Sequence, residues 1–173
     1  MTSSSALRLW HPSFDAYHCS FRLLRLLMFQ KQHALLVEKL CLLDFYLLYP
    51  FLLHRASMPN EIRRAFRALQ IPKPDEQFVQ LPSEKTLYRE LAIYQRVAAT
   101  SLVAKGLLLR DQYLSGTACL VIGAVPNKLL TDLRDANSHE NEFMDLLVNQ
   151  FGALDLTGPR GLRALTGLVR RQQ

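Results

Sequence analysis

Large apolar residues recur every three to four positions through residues 13–30. This spacing predicts an amphipathic α-helix, with Pro12 and Ser13 near its start and Arg22 and Arg25 on its other side. The apolar positions are Phe14, Tyr17, Phe21, Leu24 and Leu27 or Met28.

Residues 34–55 predict a second helix that is apolar on almost every side. One face carries Leu36, Leu40, Leu43, Leu47 and Phe51, and another carries Phe45, Leu48 and Leu52. Such a helix is buried on several sides, and we expect other polypeptides to cover it because the chain is small. Pro50 lacks an amide hydrogen and should kink or break the helix. A buried Asp44 must be paired or hydrogen-bonded, by holding an arginine or capping a neighbouring helix.

The same region is the only candidate for a membrane span. Residues 35–53 contain fifteen apolar residues and three charged ones, Glu38, Lys39 and Asp44. Insertion gains about 4.5–9 kcal/mol from the apolar residues, whereas the charges cost about 7.5–10.5 kcal/mol. The balance favours a buried helix and no membrane association.

The next apolar pattern predicts a short basic helix and a long one. Asn60 is a suitable N-cap for residues 61–70, in which Ile62, Phe66 and Leu69 point inward. Residues 72–82 form an extended connector that is poor in helix signals. Ser83 begins a helix that continues to Lys105, and Gly106 is its natural C-cap.

The period then changes to that of β-structure. Residues 107–114 and 117–123 predict two strands of a hairpin joined by Ser115-Gly116. Further helices are expected at 126–133, 138–152 and 160–169. Helices followed by a long helix and a hairpin are typical of a winged helix. The predicted fold is mainly α with a small β-hairpin, a winged-helix-like core with flanking helices.

Length and composition indicate a folded, soluble chain. The 173 residues, 49% hydrophobic and 21% charged, suit a single domain over 1–173. Its expected parts are an N-terminal helical pair at 7–57, a winged-helix-like part at 60–123 and a C-terminal helical extension at 126–173. Residues 1–6 show no secretory signal, and three widely spaced cysteines fit reduced thiols in a cytoplasmic protein.

Charge is divided among separate segments of a chain whose net charge is +6. Residues 60–74 are basic, residues 132–145 are acidic, and basic residues dominate again after Asp155. Separated patches suit docking to several partners, one of them nucleic acid, although each patch could equally be a solvated helix face. The long helix should expose mainly Glu90, Gln95, Arg96 and Lys105, which favours protein docking over reading of a DNA sequence. The candidate nucleic-acid-binding residues are Arg63, Arg64, Arg67, Arg96 and Lys105.

No residue pattern indicates catalysis, and we expect neither an enzyme nor a cofactor. Adjacent His18 and Cys19 cannot both face one metal on a helix. Asp135, His139 and Glu142 would share a helical face, but a helix cap predicted at Asn137-Ser138 would break it. A small metal-dependent hydrolase built on residues 135–145 is the weakest functional hypothesis.

Three stretches resemble a known family. They are HPSFDAYHCSFRLLRLL, LCLLDFYLLYPFLLHR and LTGPRGLRALTGL. In this order they resemble the middle component of three-component ABC-ATPase systems, the small subunit found with an SMC/Rad50-like ATPase in Lamassu-type antiphage defence. Asp44-Phe45-Tyr46 and Pro50-Phe51 are the most specific part. The chain departs from the family pattern at Leu165, where the family has an arginine, unless Arg163 substitutes for it.

This resemblance implies a non-enzymatic accessory subunit of a hetero-oligomer. It would bridge the ATPase to an effector, commonly a nuclease, and DNA could be contacted through the complex. A free-standing winged-helix transcriptional regulator is the alternative. The predicted partner interface comprises Asp44, Phe45, Tyr46, Tyr49, Arg160, Leu162, Arg163 and Leu168.

Overall fold

A computed structural model of the chain describes residues 15–73 and 82–169. Most of the predicted connector, the expected start of the first helix at Pro12 and Ser13, and residues 1–6 lie outside these residues. The first helix, α1, spans Ala16–Phe29. It starts at Asp15, whose carboxylate accepts a hydrogen bond from the Tyr17 amide, as expected of an N-cap.

The predicted second helix is three elements rather than one. Strand β1 spans Ala34–Leu36, helix α2 spans Val37–Leu48, and a 3-10 helix spans Pro50–His54. The predicted break at Pro50 is confirmed. The helix does not begin at residue 34 because the backbone there pairs with a distant strand instead.

That distant strand is β2, Thr117–Cys119, which runs antiparallel to β1 with Ala34 opposite Cys119. The predicted hairpin is therefore wrong, because its first strand is largely a short helix, α5, spanning Arg110–Leu114. Residues 107–109 precede this helix. They bond to the other edge of β2, where the Leu109 amide donates to the Cys119 carbonyl.

Two predicted helices follow with small corrections. Helix α3 spans Asn60–Ala68, so that Pro59, not Asn60, occupies the N-cap position. Helix α4 spans Glu84–Ala104, and Ser83, which was predicted to begin it, is its N-cap and accepts a hydrogen bond from the Thr86 amide. Gly106 follows this helix with a φ of 71°, a left-handed conformation that glycine adopts without strain.

The C-terminal part contains four short helical elements. Helix α6 spans Asn127–His139, α7 spans Asn141–Met144, a π-helix spans Asp145–Phe151, and α8 spans Leu162–Thr166. The cap predicted at Asn137-Ser138 is wrong because α6 continues through both residues. Asn137 is buried and is held by Arg25 of α1, whose Nε donates to the Asn137 side-chain oxygen.

The core lies where α1 packs against α2, α4 and α6. Helix α2 is its centre, because its residues 42–46 are almost completely inaccessible to solvent. The expectation that other polypeptides must cover α2 is therefore wrong, since the chain's own helices do so. Within the described residues, no helix has the length and apolarity needed to cross a membrane.

Candidate functional site

A buried polar cluster surrounds Asp44 in the middle of α2. Asp44 is fully buried and accepts hydrogen bonds from Arg22 Nε at 2.6 Å and Arg22 Nη2 at 3.2 Å. Gln95 of α4 adds a third donor, its Nε2, at 2.8 Å. The prediction that a buried Asp44 must be paired is confirmed. The cluster joins α1, α2 and α4 at one point.

Electrostatics make the cluster a stable ion pair. Burial acts to lower the pKa of the Arg22 guanidinium, but the charge and hydrogen bonds of Asp44 outweigh burial and raise it. Burial and the Asp44 charge raise the pKa of the Cys19 thiol, and the same causes raise the pKa of Cys41 to about 12. Because the thiolate is the nucleophilic form of cysteine, neither thiol is suited to nucleophilic catalysis at neutral pH.

A pocket of about 250 Å³ opens beside this cluster, between α1, α2, α4 and α5. Gln95 lines it, although the sequence pattern predicts an exposed side chain, and only 2% of this residue is accessible. Its Nε2 also donates to the Cys41 carbonyl, whereas its Oε1 accepts no hydrogen bond from the described residues.

Most of the predicted partner interface is internal. Asp44, Phe45 and Tyr46 are fully buried and Tyr49 is half-buried. These side chains fill the core and do not form an exposed surface in this structure.

The C-terminal residues of the predicted interface are partly buried and partly exposed. Leu162 and Leu168 are buried, whereas Arg160 is exposed. Arg163 is half-buried and makes a two-bond fork with Glu38 of α2, with Nε donating to Oε1 at 2.6 Å. This fork attaches the C-terminal segment to α2.

The predicted nucleic-acid-binding residues are all accessible, on two helices. Arg63, Arg64 and Arg67 are exposed on α3, and Arg96 and Lys105 are exposed on or next to α4. Helix α3 packs on the π-helix, whereas α4 packs on α1. The structure therefore presents two separate basic groups.

One exposed surface was missed by the sequence reasoning. Ile93 and Val97 of α4 are 65% and 53% exposed, and with Arg89, Arg96 and Thr100 they form an outward-facing surface that we call the α4 ridge. Because residues four apart share a helical face, the apolar pair Ile93 and Val97 was visible in the sequence.

Residues 135–145 do not form the metal site that the hydrolase hypothesis requires. Helix α6 ends at His139, so Glu142 lies on a different helix from Asp135 and His139. The His139 ring nitrogen is instead 2.6 Å from the Asp135 carbonyl oxygen. Within the described residues, no group of three His, Cys, Asp or Glu side chains could hold a metal ion.

Comparison with models of known families gives a match over almost the whole chain. Residues 8–172 match the model of the family described as ABC-three component (ABC-3C) system Middle Component 5. No curated protein and no solved structure matches the chain. The family model covers almost the whole sequence, including the buried Asp44 cluster and the C-terminal fork. The chain belongs to the Middle Component 5 family and is an accessory component of a multi-component ABC ATPase system.

Proposed function

We propose that this chain is a non-enzymatic bridging subunit of a cytoplasmic Lamassu-type antiphage defence complex. It links an SMC/Rad50-like ATPase to an effector of the nuclease type. The observation that carries the proposal is the α4 ridge, an exposed apolar surface on a chain whose own core is complete. The side chains of Ile93 and Val97 are apolar and exposed to solvent. A partner that covers them removes this apolar surface from water, which is favourable.

The Asp44 cluster supports a structural role without catalysis. A buried carboxylate that accepts four hydrogen bonds, one of them from the Cys19 thiol, has little capacity left to bind a substrate, and the thiols of Cys19 and Cys41 are held neutral. Catalytic groups are usually tuned to react near the working pH. The charges here fix three helices together instead.

A bridging subunit needs at least two contact surfaces of different character. The α4 ridge is apolar with arginines beside it, whereas the exposed face of α3 carries Arg63, Arg64 and Arg67. We assign the α4 ridge to a protein partner. We assign the α3 face to DNA or to an acidic partner, because clustered arginines suit phosphate and carboxylate groups.

The order of elements supports a winged-helix-like core for this subunit. Strand β1 lies between α1 and α2, and β2 follows the long helix α4, with residues 107–109 bonded to the other edge of β2. In a DNA-reading winged helix the corresponding long helix enters a groove. The exposed Ile93 and Val97 on α4 favour a docking module over a DNA reader.

Copurification tests the bridging role. The chain is coexpressed with the ATPase and effector subunits of its system, as wild type and as the Ile93→Asp/Val97→Asp variant. We expect the wild type to copurify with both subunits and the variant to lose one of them, because two carboxylates would be forced into an apolar contact. The Thr131→Asp/Ser138→Asp variant adds the same charge to exposed positions of α6 and should copurify normally. A wild type that binds neither subunit would overturn the proposal.

A salt titration tests the α3 face. Arg63→Glu/Arg64→Glu/Arg67→Glu should weaken DNA binding by the assembled complex and reduce the salt dependence by about one unit of slope for each phosphate that is no longer neutralised. The control changes three exposed basic residues elsewhere, Arg110, Lys128 and Arg134, to glutamate. Equal DNA affinities and equal salt dependences for the wild type and the α3 variant would show that this surface does not bind DNA.

The strand order favours one competing function, that of a free-standing winged-helix transcriptional regulator. It predicts a homodimer that shifts a specific duplex without other subunits. The bridging role predicts that the isolated chain shows no preference among duplexes. An electrophoretic mobility assay with the purified chain and a random duplex library distinguishes the two.

A further inference from the structure

The outer side of α4 presents apolar residues next to a stripe of positive charge. With 100° between successive residues of an α-helix, Lys85, Arg89 and Arg96 lie within about 40° of one another around the helix axis. Ile93 and Val97 lie beside this stripe, at about 40° and 80° from Arg89. All of these residues are exposed. A partner that covers the apolar pair therefore also approaches the cations.

The fold does not use the cations of this stripe in ion pairs. Within residues 15–73 and 82–169, no carboxylate forms an ion pair with Lys85, Arg89 or Arg96. Arg22 and Arg163, by contrast, are each held by a carboxylate of α2. The positive charge on the outer side of α4 is therefore available to a partner.

The opposite flank of the apolar pair carries a negative charge. Glu90 is exposed and lies about 100° from Arg89 around the helix, beyond Val97. The charges are therefore arranged asymmetrically, with arginines on one side of Ile93 and Val97 and a carboxylate on the other. Covering the apolar pair removes water from the nearby charges, and this cost is offset where the partner supplies the opposite charge. The surface is thus suited to a partner with carboxylates facing Arg89 and Arg96.

The α4 ridge has the geometry on which a second helix packs. Arg89, Ile93 and Val97 are spaced four residues apart, and so are Arg96 and Thr100 in the adjoining row. Rows of this spacing form the ridges and grooves that interdigitate when two helices pack together. Because Ile93 and Val97 are β-branched and have few rotamers in a helix, covering them costs little side-chain entropy. These features favour a helix as the occupant.

Two other classes of partner fit this surface less well. Nucleic acid would satisfy the arginines through its phosphates, but it would place Ile93 and Val97 against a charged backbone. An anionic lipid surface would cover the apolar pair, but its head groups would then lie against the Glu90 carboxylate. A protein helix that carries both apolar residues and carboxylates matches every part of the surface.

We propose that the α4 ridge docks a helix of the partner subunit, one whose apolar stripe is edged with aspartate or glutamate on the side that faces Arg89 and Arg96. The inference rests on the proposed bridging function, since it needs a protein partner on the α4 ridge. It adds the chemical class of the segment that is recognised and the side on which its charge lies.

Charge variants test the proposal with the full-length subunits, purified after nuclease treatment. Dissociation constants are measured for the wild type, Arg89→Gln/Arg96→Gln and Arg89→Glu/Arg96→Glu. We expect the glutamine variant to bind the subunit on α4 about two- to thirtyfold more weakly, because two ion pairs are lost, and the glutamate variant to bind more weakly still. Arg89→Lys/Arg96→Lys keeps both charges and should bind more tightly than the glutamine variant. Added salt should reduce the difference between the wild type and the glutamine variant.

The control Arg110→Glu/Arg134→Glu makes the same charge change at exposed positions outside α4 and should bind like the wild type. Circular dichroism checks that all variants fold. Equal subunit affinities for the wild type and the α4 glutamate variant would overturn the proposal. Loss by that variant of binding to phosphatidylglycerol vesicles or to duplex DNA, with subunit affinity unchanged, would assign the stripe to a lipid or nucleic-acid surface instead.

A photo-crosslink identifies the docked segment. The residue p-benzoylphenylalanine is placed at Ala104, an exposed position one turn beyond Thr100, the purified complex is irradiated, and the linked peptide is identified by mass spectrometry. We expect a segment with apolar residues three or four positions apart and acidic residues on one flank. A basic or uncharged segment would overturn the proposal even where the arginine variants weaken binding.

The outcomes separate this inference from the bridging function. Loss of one subunit by Ile93→Asp/Val97→Asp but full association of Arg89→Glu/Arg96→Glu would overturn the acidic helix while leaving the bridging role intact. Failure of the wild type to bind any subunit would overturn the bridging role, and with it this inference.

Discussion

Two arginine–carboxylate forks on α2 use the same chemistry in different surroundings. Arg22 pairs with Asp44 in the core, where the two side chains are 10% and 0% exposed. Arg163 pairs with Glu38 near the surface, where the two side chains are 28% and 29% exposed. The inner carboxylate also accepts hydrogen bonds from Gln95 Nε2 and from the Cys19 thiol, whereas among the described residues the outer one accepts from Arg163. The outer carboxylate, that of Glu38, keeps contact with water and needs no further donor from the protein.

The difference shows how burial changes the role of an ion pair. Desolvation of the inner pair is costly and must be offset by nearly complete hydrogen bonding, so loss of any one partner is severe. The outer pair stays hydrated, and its effect is local, because it attaches one segment to α2. The same fork therefore organises the core in one place and holds an edge in the other.

The largest effect is expected from Asp44→Ala. Arg22 would remain buried without its partner, and we expect a loss of about 3–5 kcal/mol in the free energy of unfolding, measured in urea. The double variant Arg22→Met/Asp44→Leu, which removes both charges, should be less destabilised than the single one. A double variant as unstable as Asp44→Ala would show that the ion pair itself, not the unpaired charge, is what matters.

A smaller effect is expected from Gln95→Leu. The change takes one donor from Asp44 and one from the Cys41 carbonyl but leaves the fork intact, so the loss should be about 1–3 kcal/mol in the same urea experiment. Glu90→Leu, at an exposed position of α4, is the control. A loss below about 0.5 kcal/mol for Gln95→Leu would mean that the fork alone satisfies the buried carboxylate.

The outer fork should respond locally. Glu38→Gln weakens the hold on Arg163, and amide hydrogen exchange at residues 162–165 should become roughly two- to fivefold faster, with little change at α1. Added salt should reduce the difference between variant and wild type. Faster exchange spread evenly over the chain would contradict a local role for this fork.

The smallest effect is expected at an ion pair on the surface of α6. Lys128 and Asp132 are one turn apart, with side chains 88% and 46% exposed. Lys128→Gln should change the free energy of unfolding by at most about 0.5 kcal/mol. A larger change would show that exposure does not rank these pairs, and would undermine the comparison of the two forks.

Local signals in the sequence were enough to predict several helix ends. Ser83 and Gly106 mark the ends of α4 closely, and Pro50 ends α2 where its missing amide hydrogen requires. The strands were harder. An alternating pattern indicates a strand but does not name its partner, and β2 pairs with β1, more than 80 residues earlier, instead of with its neighbour.

The candidate site was predictable only in part, for a similar reason. Burial of Asp44 implied a partner, but nothing in the sequence identifies Arg22 and Gln95 together as that partner. The residue type of Ile93 does not by itself show whether the side chain is buried in the core or exposed to water. Its exposure depends on which helices reach α4, and that is a property of the whole fold.

The hydrogen bonds between Arg25 and Asn137 join residues 112 positions apart, and that between Lys39 and Leu154 spans 115. During translation, α1 and α2 are made before α6 and the segment around Leu154, which help to cover them. Part of the leucine-rich surface of α1 and α2 therefore stays uncovered until α6 and the segment around Leu154 have been made. Coordinated synthesis beside its companion subunits, or a chaperone that holds the early half, would protect it through that interval.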